Sequence, residues 1–337
     1  YKLQNFATYE ATGDMYCLFI EKGLGLCTEG GILTFITSNK WMRAAYGERL
    51  RGFLAKHNPI YLIDFGGTKV FDSATVDTDI ILVSNEEYKL NTKACRIYFD
   101  KNKGETLDNL SDYIKQNASS MKFDTSDSWA ILSSIELSIK RKIESAGTPL
   151  KDWGNISINY GIKTGYDKAF IISAEARKEI LNNCKDVEER KRTEEIIRPI
   201  LRGKDIKRYG YKWADLWLIN THNGIKNKRE RIHIEDYPAI KQHLDKFWDK
   251  IKVRADQGDT PYNLRNCAYM DDFSKPVIAW QRITHKNQFC LTEPGTMLLD
   301  SMAFLSNVGD KAYLFMAILN SDLVYFWMKS NVSEYGD

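Results

Sequence analysis

The sequence predicts an α/β domain over residues 1–125 followed by a mixed α+β domain over residues 126–337. Three observations predict it. Helical periodicities alternate with short apolar, β-rich runs through the first 90 residues. From about Asp100 the chain turns polar, and Asn117 to Ser128 is rich in Ser, Thr, Asn and Asp, which suits a boundary. A length of 337 residues exceeds the usual size of one domain.

Taken in order, Met15 to Leu26 has the spacing of an amphipathic helix, stopped at Glu29-Gly30-Gly31. Ile32 to Thr37 (ILTFIT) is a short apolar run of the buried-strand type. A second helix is expected from Gly47 to His57. Pro59 precedes the strand-like Ile60 to Phe65, which Gly66-Gly67 ends, and Thr78 to Val83 forms a further apolar strand. Helices interleaved with buried strands are the pattern of an α/β sheet. Beyond the boundary, a helix from Ser126 to Ala146 leads into Trp153, and the charged stretch Lys185 to Ile197 reads as a solvated helix surface. No internal repeat or low-complexity tract is visible.

Composition excludes several classes. Hydrophobic content of 43% and aromatic content of 12% belong to a folded chain rather than a disordered one. A membrane helix needs roughly 18 uninterrupted apolar residues, and the most apolar late segment, Tyr313 to Met328, is broken by Asn320, Ser321 and Asp322. No basic, apolar leader opens the chain, which begins at Tyr1 without a methionine, so a fragment or a trimmed chain is expected, and the scattered cysteines fit a reducing cytoplasm. Cys17, Cys27, Cys95, Cys184, Cys267 and Cys290 are scattered, with no CxxC pair and no His at ligand spacing. They are expected to be small buried hydrophobes in a reducing compartment, with no metal site.

Net charge is +3, unevenly divided. Residues 1–150 carry 18 basic and 19 acidic side chains (−1), and the remainder 30 against 26 (+4). A basic excess in the second part points toward a nucleic-acid face.

Enzyme signatures such as GxSxG, a Walker loop, HExxH or GxGxxG are absent. Asp79 with Glu87-Tyr88-Lys89 has the outline of a magnesium-dependent nuclease set, although an exposed turn after a strand accounts for it too. The stronger signals lie later. Arg198 to Tyr209 gathers Arg202, Lys204, Lys207 and Arg208 around Gly203, with Tyr209, Tyr211 and Trp213 close behind. Cations neutralise phosphates, and aromatic or guanidinium planes can pack on sugars or bases. Tyr160 to Tyr166 sets Lys163 and Thr164 between Gly161 and Gly165, a layout in which backbone amides approach an anion or which forms a plain hairpin. Trp280 to Gln288 follows a strand-like run and holds Gln281, Arg282, His285, Lys286 and Asn287, donors suited to base edges or to a polar turn.

In order along the chain, YCLFIEK (Tyr16 to Lys22), GGILTFITSNKW (Gly30 to Trp41), YGERLRGFL (Tyr46 to Leu54) and KVFDSATVDTDIILV (Lys69 to Val83) resemble the part of gamma-class adenine-specific DNA methyltransferases that follows their Asn-Pro-Pro-Tyr motif. GIKTGYDKAFII (Gly161 to Ile172), IIRPILRGKDIKRY (Ile196 to Tyr209), TPYNLRNC (Thr260 to Cys267), Trp280 to His285 and LLDSMAFLS (Leu298 to Ser306) resemble the TaqI-like specificity domain of type IIG restriction-modification enzymes. The resemblance implies the C-terminal half of a Rossmann-like methyltransferase sheet followed by a target-recognition domain. It implies a parent that binds S-adenosylmethionine, flips an adenine out of double-stranded DNA and methylates its exocyclic amine. The Asn-Pro-Pro-Tyr and upstream cofactor motifs are not in this chain, so the chain alone is expected to be inactive. By the same resemblance, Phe71 would stack on the flipped adenine and Phe19 would line the cofactor pocket; by pattern alone, each is a core residue. Magnesium is implied only if the parent also carries a nuclease. The reading expects Lys163, Thr164, Arg202, Lys204, Lys207, Arg208, Gln281, Arg282, His285, Lys286 and Asn287 to contact DNA. Arg202→Ala is expected to weaken binding to all duplexes and to flatten its salt dependence. Rival expectations are a magnesium-dependent nuclease built on Asp79, Glu87 and Lys89, and a non-enzymatic protein-interaction module.

Overall fold

The computed structural model describes residues 5–331 apart from 69, 72, 74, 75, 98–108, 155 and 285. The chain divides into two compact units, Tyr1–Gly147 with Phe326–Asp337, and Thr148–Tyr325.

In the first unit the elements run α1 (Tyr16–Leu24), β1 (Ile32–Ser38), α2 (Glu48–Leu54), β2 (Asn58–Asp64), β3 (Thr78–Ser84), β4 (Thr92–Arg96), α3 (Leu110–Asn117), β5 (Ser119–Met121) and α4 (Ser134–Ala146). The five strands form one sheet in the order β1-β3-β2-β4-β5. Its β2–β4 pair is parallel and the others are antiparallel. The expected α/β character holds. The burial expected of β1 does not: β1 is an edge strand, with Ile32 58% and Ile36 47% exposed. β3 takes the position flanked on both sides and buries Ile81 and Val83. Apolar content identifies a strand but not its rank in the sheet.

Ile20, Leu24, Trp41, Met42, Leu50, Leu54 and Leu62 are fully buried between sheet and helices, each contributing about 1.5–3 kcal/mol for an aliphatic side chain. The same core explains why this unit continues past residue 125. Trp129 stands edge-on to Trp41 (5.5 Å) and stacks on Phe123 (4.8 Å), and its amide donates to Met42 O at 2.7 Å. Residues 126–132 are committed to that packing, so α4 starts at Ser134 rather than Ser126. There Ser133 Oγ accepts from Glu136 N (3.3 Å) while Glu136 accepts from Ser133 N (2.8 Å), a reciprocal cap. Phe326–Asn331 belong to this unit as well: Trp327 Nε1 donates to Glu144 (3.2 Å) and Ser128 Oγ to Ser330 O (3.4 Å).

The second unit contains β6 (Ser157–Tyr160), α5 (Asp167–Phe170), β7 (Ile171–Ser173), α6 (Ala174–Asn182), α7 (Val187–Ile196), β8 (Ile197–Leu201), β9 (Ile206–Lys207), β10 (Gly210–Tyr211), β11 (Leu216–Ile219), α8 (Pro238–Asp245), α9 (Trp248–Ile251), β12 (Ile278–Gln281), β13 (Phe289–Leu291), β14 (Met297–Leu298), β15 (Met302–Ser306) and α10 (Ala312–Leu319), and α11 (Asp322–Asn331) begins in it. Its sheets run β14-β8-β11-β7 and β13-β12-β15-β6, with the hairpin β9–β10 beside them. Phe170, Ile200, Leu218, Ile240, Leu298 and Phe304 are fully buried in one continuous core. The charged stretch expected to be a solvated helix surface forms α7, but Glu189 inside it is fully buried. Its carboxylate accepts from Ala239 N (2.9 Å) at the start of α8 and from Lys185 N (3.0 Å), where helix dipole and free amides favour an anion.

Candidate nucleic-acid interface

Three segments converge in the second unit. β9 and β10 are joined by a tight turn at Arg208-Tyr209, with Lys207 opposite Gly210. Tyr209 N donates to Phe289 O at 3.0 Å, which ties the turn to β13. The Asn320 side chain clasps the same residue, accepting from Phe289 N (3.0 Å) and donating to Phe289 O (2.9 Å), while Arg208 Nη2 donates to Asn320 O (2.6 Å). Gly203 completes the arrangement, because a Cβ there would lie 2.7 Å from Gln281 Cγ. The Arg202–Tyr211 loop, the Gln281–Phe289 turn and the end of α10 therefore form one face.

On that face Lys204, Lys207, Arg208, Arg282 and Lys286 are exposed. Arg282 lies over the Tyr160 ring at 4.5 Å and donates to Asp300 O (3.2 Å), which fixes its guanidinium plane. Gln281 is half-buried against Gly203. His285 lies outside the described residues.

Besides Arg282 and Arg208, which also pairs with Asp322 (3.7 Å), and Lys207, whose Nζ donates to Lys204 O (3.3 Å), four further expected contacts have partners inside the protein. Thr164 is 1% exposed; its hydroxyl donates to Asp167 and accepts from Tyr166 N, so it shapes a turn. Lys163 pairs with Asp256 at 3.2 Å. Arg202 donates through Nε and Nη2 to Asp205 at 3.0 and 2.8 Å. Burial raises the Asp205 pKa, but the Arg202 hydrogen bonds prevail and hold that carboxyl below its ordinary value. Asn287 Nδ2 donates to Leu319 O (2.9 Å) and Ser321 O (3.3 Å), closing the end of α10 rather than reading a base. At the start of the Gly161 segment the Gly161 and Ile162 amides are taken by Met302 O (3.0 Å) and Leu298 O (2.6 Å), and a Cβ on Gly161 would meet the Leu299 carbonyl oxygen.

Two features escaped the sequence reading. Arg254, 6% exposed, donates to the carbonyls of Thr164, Asp256, Pro261 and Asn263 and lies 4.5 Å over the Phe170 ring. Burial lowers its pKa to about 10. The second is the basic loop Lys226 to Arg231, bordering an open cavity of about 780 Å³; Arg229 pairs there with Asp271 (2.7 Å) and Arg231 with Asp259 (3.6 Å). The Lys-Asn-Lys-Arg-Glu-Arg run was its available signal.

In the first unit Phe19 and Phe71 are 52% and 42% exposed, not core residues. The feet of the segment carrying Phe71 are held by a buried polar cluster. Asp64, 1% exposed, accepts from Asn39 Nδ2 (2.7 Å), Gly66 N (2.9 Å) and Arg43 Nη2 (3.1 Å), and Asn39 N donates to Asp77 O (3.0 Å). Asp79, facing Asp64 across β2 and β3, accepts from Trp41 Nε1 (3.2 Å). Complete burial, with some repulsion from Asp64, holds its carboxyl well above the ordinary 3.8. The nuclease set does not assemble. Asp79 is at the start of β3 and Glu87 lies beyond its end, so the strand between them spans about 16 Å from Asp79 to Ser84 alone. Lys89 pairs instead with Glu86 (2.6 Å). Among the described residues no group of His, Cys, Asp and Glu could hold a metal, and no helix is long and apolar enough to cross a membrane. All six cysteines are free; burial pushes Cys17 and Cys290 up to about 12 and Cys267 to about 11, so these three are neutral thiols at pH 7.

Comparison with known proteins matches residues 1–71 to the Eco57I restriction-modification methylase family and residues 198–337 to the TaqI-like C-terminal specificity domain. The type II methyltransferase M.PaeR7I of Pseudomonas aeruginosa is 26% identical over 268 residues, covering 77% of this chain and 44% of that protein. M.BstVI, a type II methyltransferase of Geobacillus stearothermophilus, is 23% identical over 267 residues, covering 74% and 45%. The type II restriction enzyme and methyltransferase RM.Eco57I of Escherichia coli is 25% identical over 255 residues, covering 71% and 24%. The chain thus spans less than half the length of these relatives. Among solved structures, the type IIL restriction-modification enzyme MmeI in complex with DNA aligns with a TM-score of 0.61 at 11% identity, over 96% of this chain and 39% of that one, a likeness of fold.

Proposed function

The chain joins a restriction-modification methylase segment to a TaqI-like C-terminal specificity domain, and from that premise we propose that it recognises a specific duplex DNA sequence for an adenine-directed methyltransferase parent. The observation that carries the reading is the convergence of Lys204, Lys207, Arg208, Arg282 and Lys286 on one face of the specificity domain. Lysines would contribute affinity through phosphates, and Gln281 and Arg282 would choose the sequence, a reading supported by their packing against Gly203 and Tyr160. S-adenosylmethionine would supply the transferred methyl group to the parent. The exposed rings of Phe19 and Phe71 suit that chemistry, Phe19 as a wall against the adenosyl moiety and Phe71 as a platform for an extruded adenine. The buried Asp64 cluster keeps the ends of the Phe71 segment in place.

The test is duplex binding by this chain from a random-sequence pool at two salt concentrations, followed by sequencing of the retained fraction. Salt-sensitive retention with an enriched motif is expected. Retention without any enriched sequence would reduce the face to a nonspecific one. A second role in protein association is favoured by the exposed apolar side chains Tyr313, Leu314 and Ile318 on α10 and Leu323 on α11. Absence of DNA binding at low salt, together with self-association in solution, would favour it over DNA recognition.

A further inference from the structure

Among the described residues, Tyr209 is the one aromatic side chain with a positive φ, at +69°. It occupies the third position of the four-residue turn Lys207 to Gly210, where glycine or asparagine adopts the left-handed conformation at little steric cost. A glycine is next in the chain, yet Gly210 has an ordinary φ, and a Cβ there would touch nothing within 4 Å. The left-handed position is thus assigned to the bulky residue rather than to its glycine neighbour. Burial does not explain this. The ring is 51% exposed, and no hydrogen bond engages its hydroxyl among the described residues. The turn is also rigidly tied, with Tyr209 N on Phe289 O, the Asn320 clasp behind Phe289, and Arg208 on Asn320 O. Beside the ring lies the Arg208 guanidinium, 5.4 Å from the ring centre, and Lys204 and Lys207 are exposed in the same loop.

Strained, exposed and braced residues are characteristic of binding sites, where the rest of the structure sustains the cost. We propose that Tyr209 is a DNA-stacking residue, its ring packing on the face of a nucleobase exposed where the duplex is opened or kinked while the neighbouring cations hold the backbone. The inference rests on the DNA-recognition reading above and adds a specific contact to it. Stacking uses the π-face, so it needs the ring and not the hydroxyl.

Two variants separate a structural role from this one. Tyr209→Gly relieves the backbone strain, so its Tm should equal or exceed that of the unaltered chain, while its affinity for a random-sequence duplex at low salt falls roughly 5- to 150-fold. Its salt slope should not change, because no charge is lost. Tyr209→Phe should bind as the unaltered chain does. Unchanged affinity of Tyr209→Gly, a lower Tm for it, or an equal loss in Tyr209→Phe would each overturn the proposal. No retention of duplex by the unaltered chain at low salt would remove the DNA-recognition reading itself, and this inference with it.

Discussion

In the first unit Arg43 and Asp64 are 7% and 1% exposed, lie 3.1 Å apart and hold the base of a loop. In the second, Lys204, Lys207 and Lys286 project from connected loops and form no ion pair among the described residues. The same side-chain chemistry serves two ends. A buried charge must have its partner inside the protein, because removing it from water costs several kcal/mol. An exposed cation retains its hydration until it meets a ligand phosphate and displaces the counterions condensed around it. The contrast continues inside the second unit, where Arg254 and Arg202 are consumed by internal acceptors, while Lys204 and Lys286 form no ion pair among the described residues and Lys207 reaches only the Lys204 carbonyl (3.3 Å).

Breaking a consumed charge should have the largest effect. Asp64→Ala leaves Arg43 nearly buried without its counter-charge, and Arg254→Ala leaves four carbonyls without their donor; each should lower the unfolding free energy by about 3–5 kcal/mol in urea titrations followed by tryptophan fluorescence. A loss under 1 kcal/mol for either would erase the distinction. The double variant Lys204→Ala/Lys207→Ala should shift stability by less than about 0.5 kcal/mol, yet reduce the slope of log affinity against log salt by roughly 2. Arg202→Ala sharpens the comparison. With its guanidinium committed to Asp205, it should cost about 1–3 kcal/mol in stability and change the salt slope less than either lysine does.

The last effect is read as a pH dependence and concerns Asp79. The folded protein retains its proton to higher pH than the unfolded chain, whose aspartate ionises near 3.8. Stability contributed by that proton is therefore complete below 3.8 and declines, by at most about 1.4 kcal/mol per pH unit, until the folded carboxyl ionises. Asp79→Asn should flatten this decline in thermal scans taken across pH; an unaltered pH profile would show that the group is ionised in the fold.

Much of this was legible because it is local. The helix at Tyr16–Leu24 and the strands Asn58–Asp64 and Thr78–Ser84 lie where periodicity and turn residues put them. Several residues whose roles were misread have partners far away in sequence, whereas Arg202 and the Thr164 hydroxyl are taken by Asp205 and Asp167, three residues on. Thr164 O meets Arg254, Asn287 caps carbonyls at Leu319 and Ser321, and Trp129 packs on Trp41. A sequence displays each residue's donors but not which are already used, so Asn287 and the free Lys286 beside it look alike. The Ser133–Glu136 cap was local and visible, and went unused in setting the start of α4.

Phe326–Asn331 complete the unit that the chain begins, with Lys329 O accepting from Arg43 Nη1 at 3.4 Å. On the ribosome, residues leave in order and early domains ordinarily fold first. Here the early unit waits for its last helical turns until the whole of the later one has been made. Translation thus assembles the second unit while the first is unfinished, and a nick or premature stop just before Phe326 would be felt at Arg43, far back in the sequence.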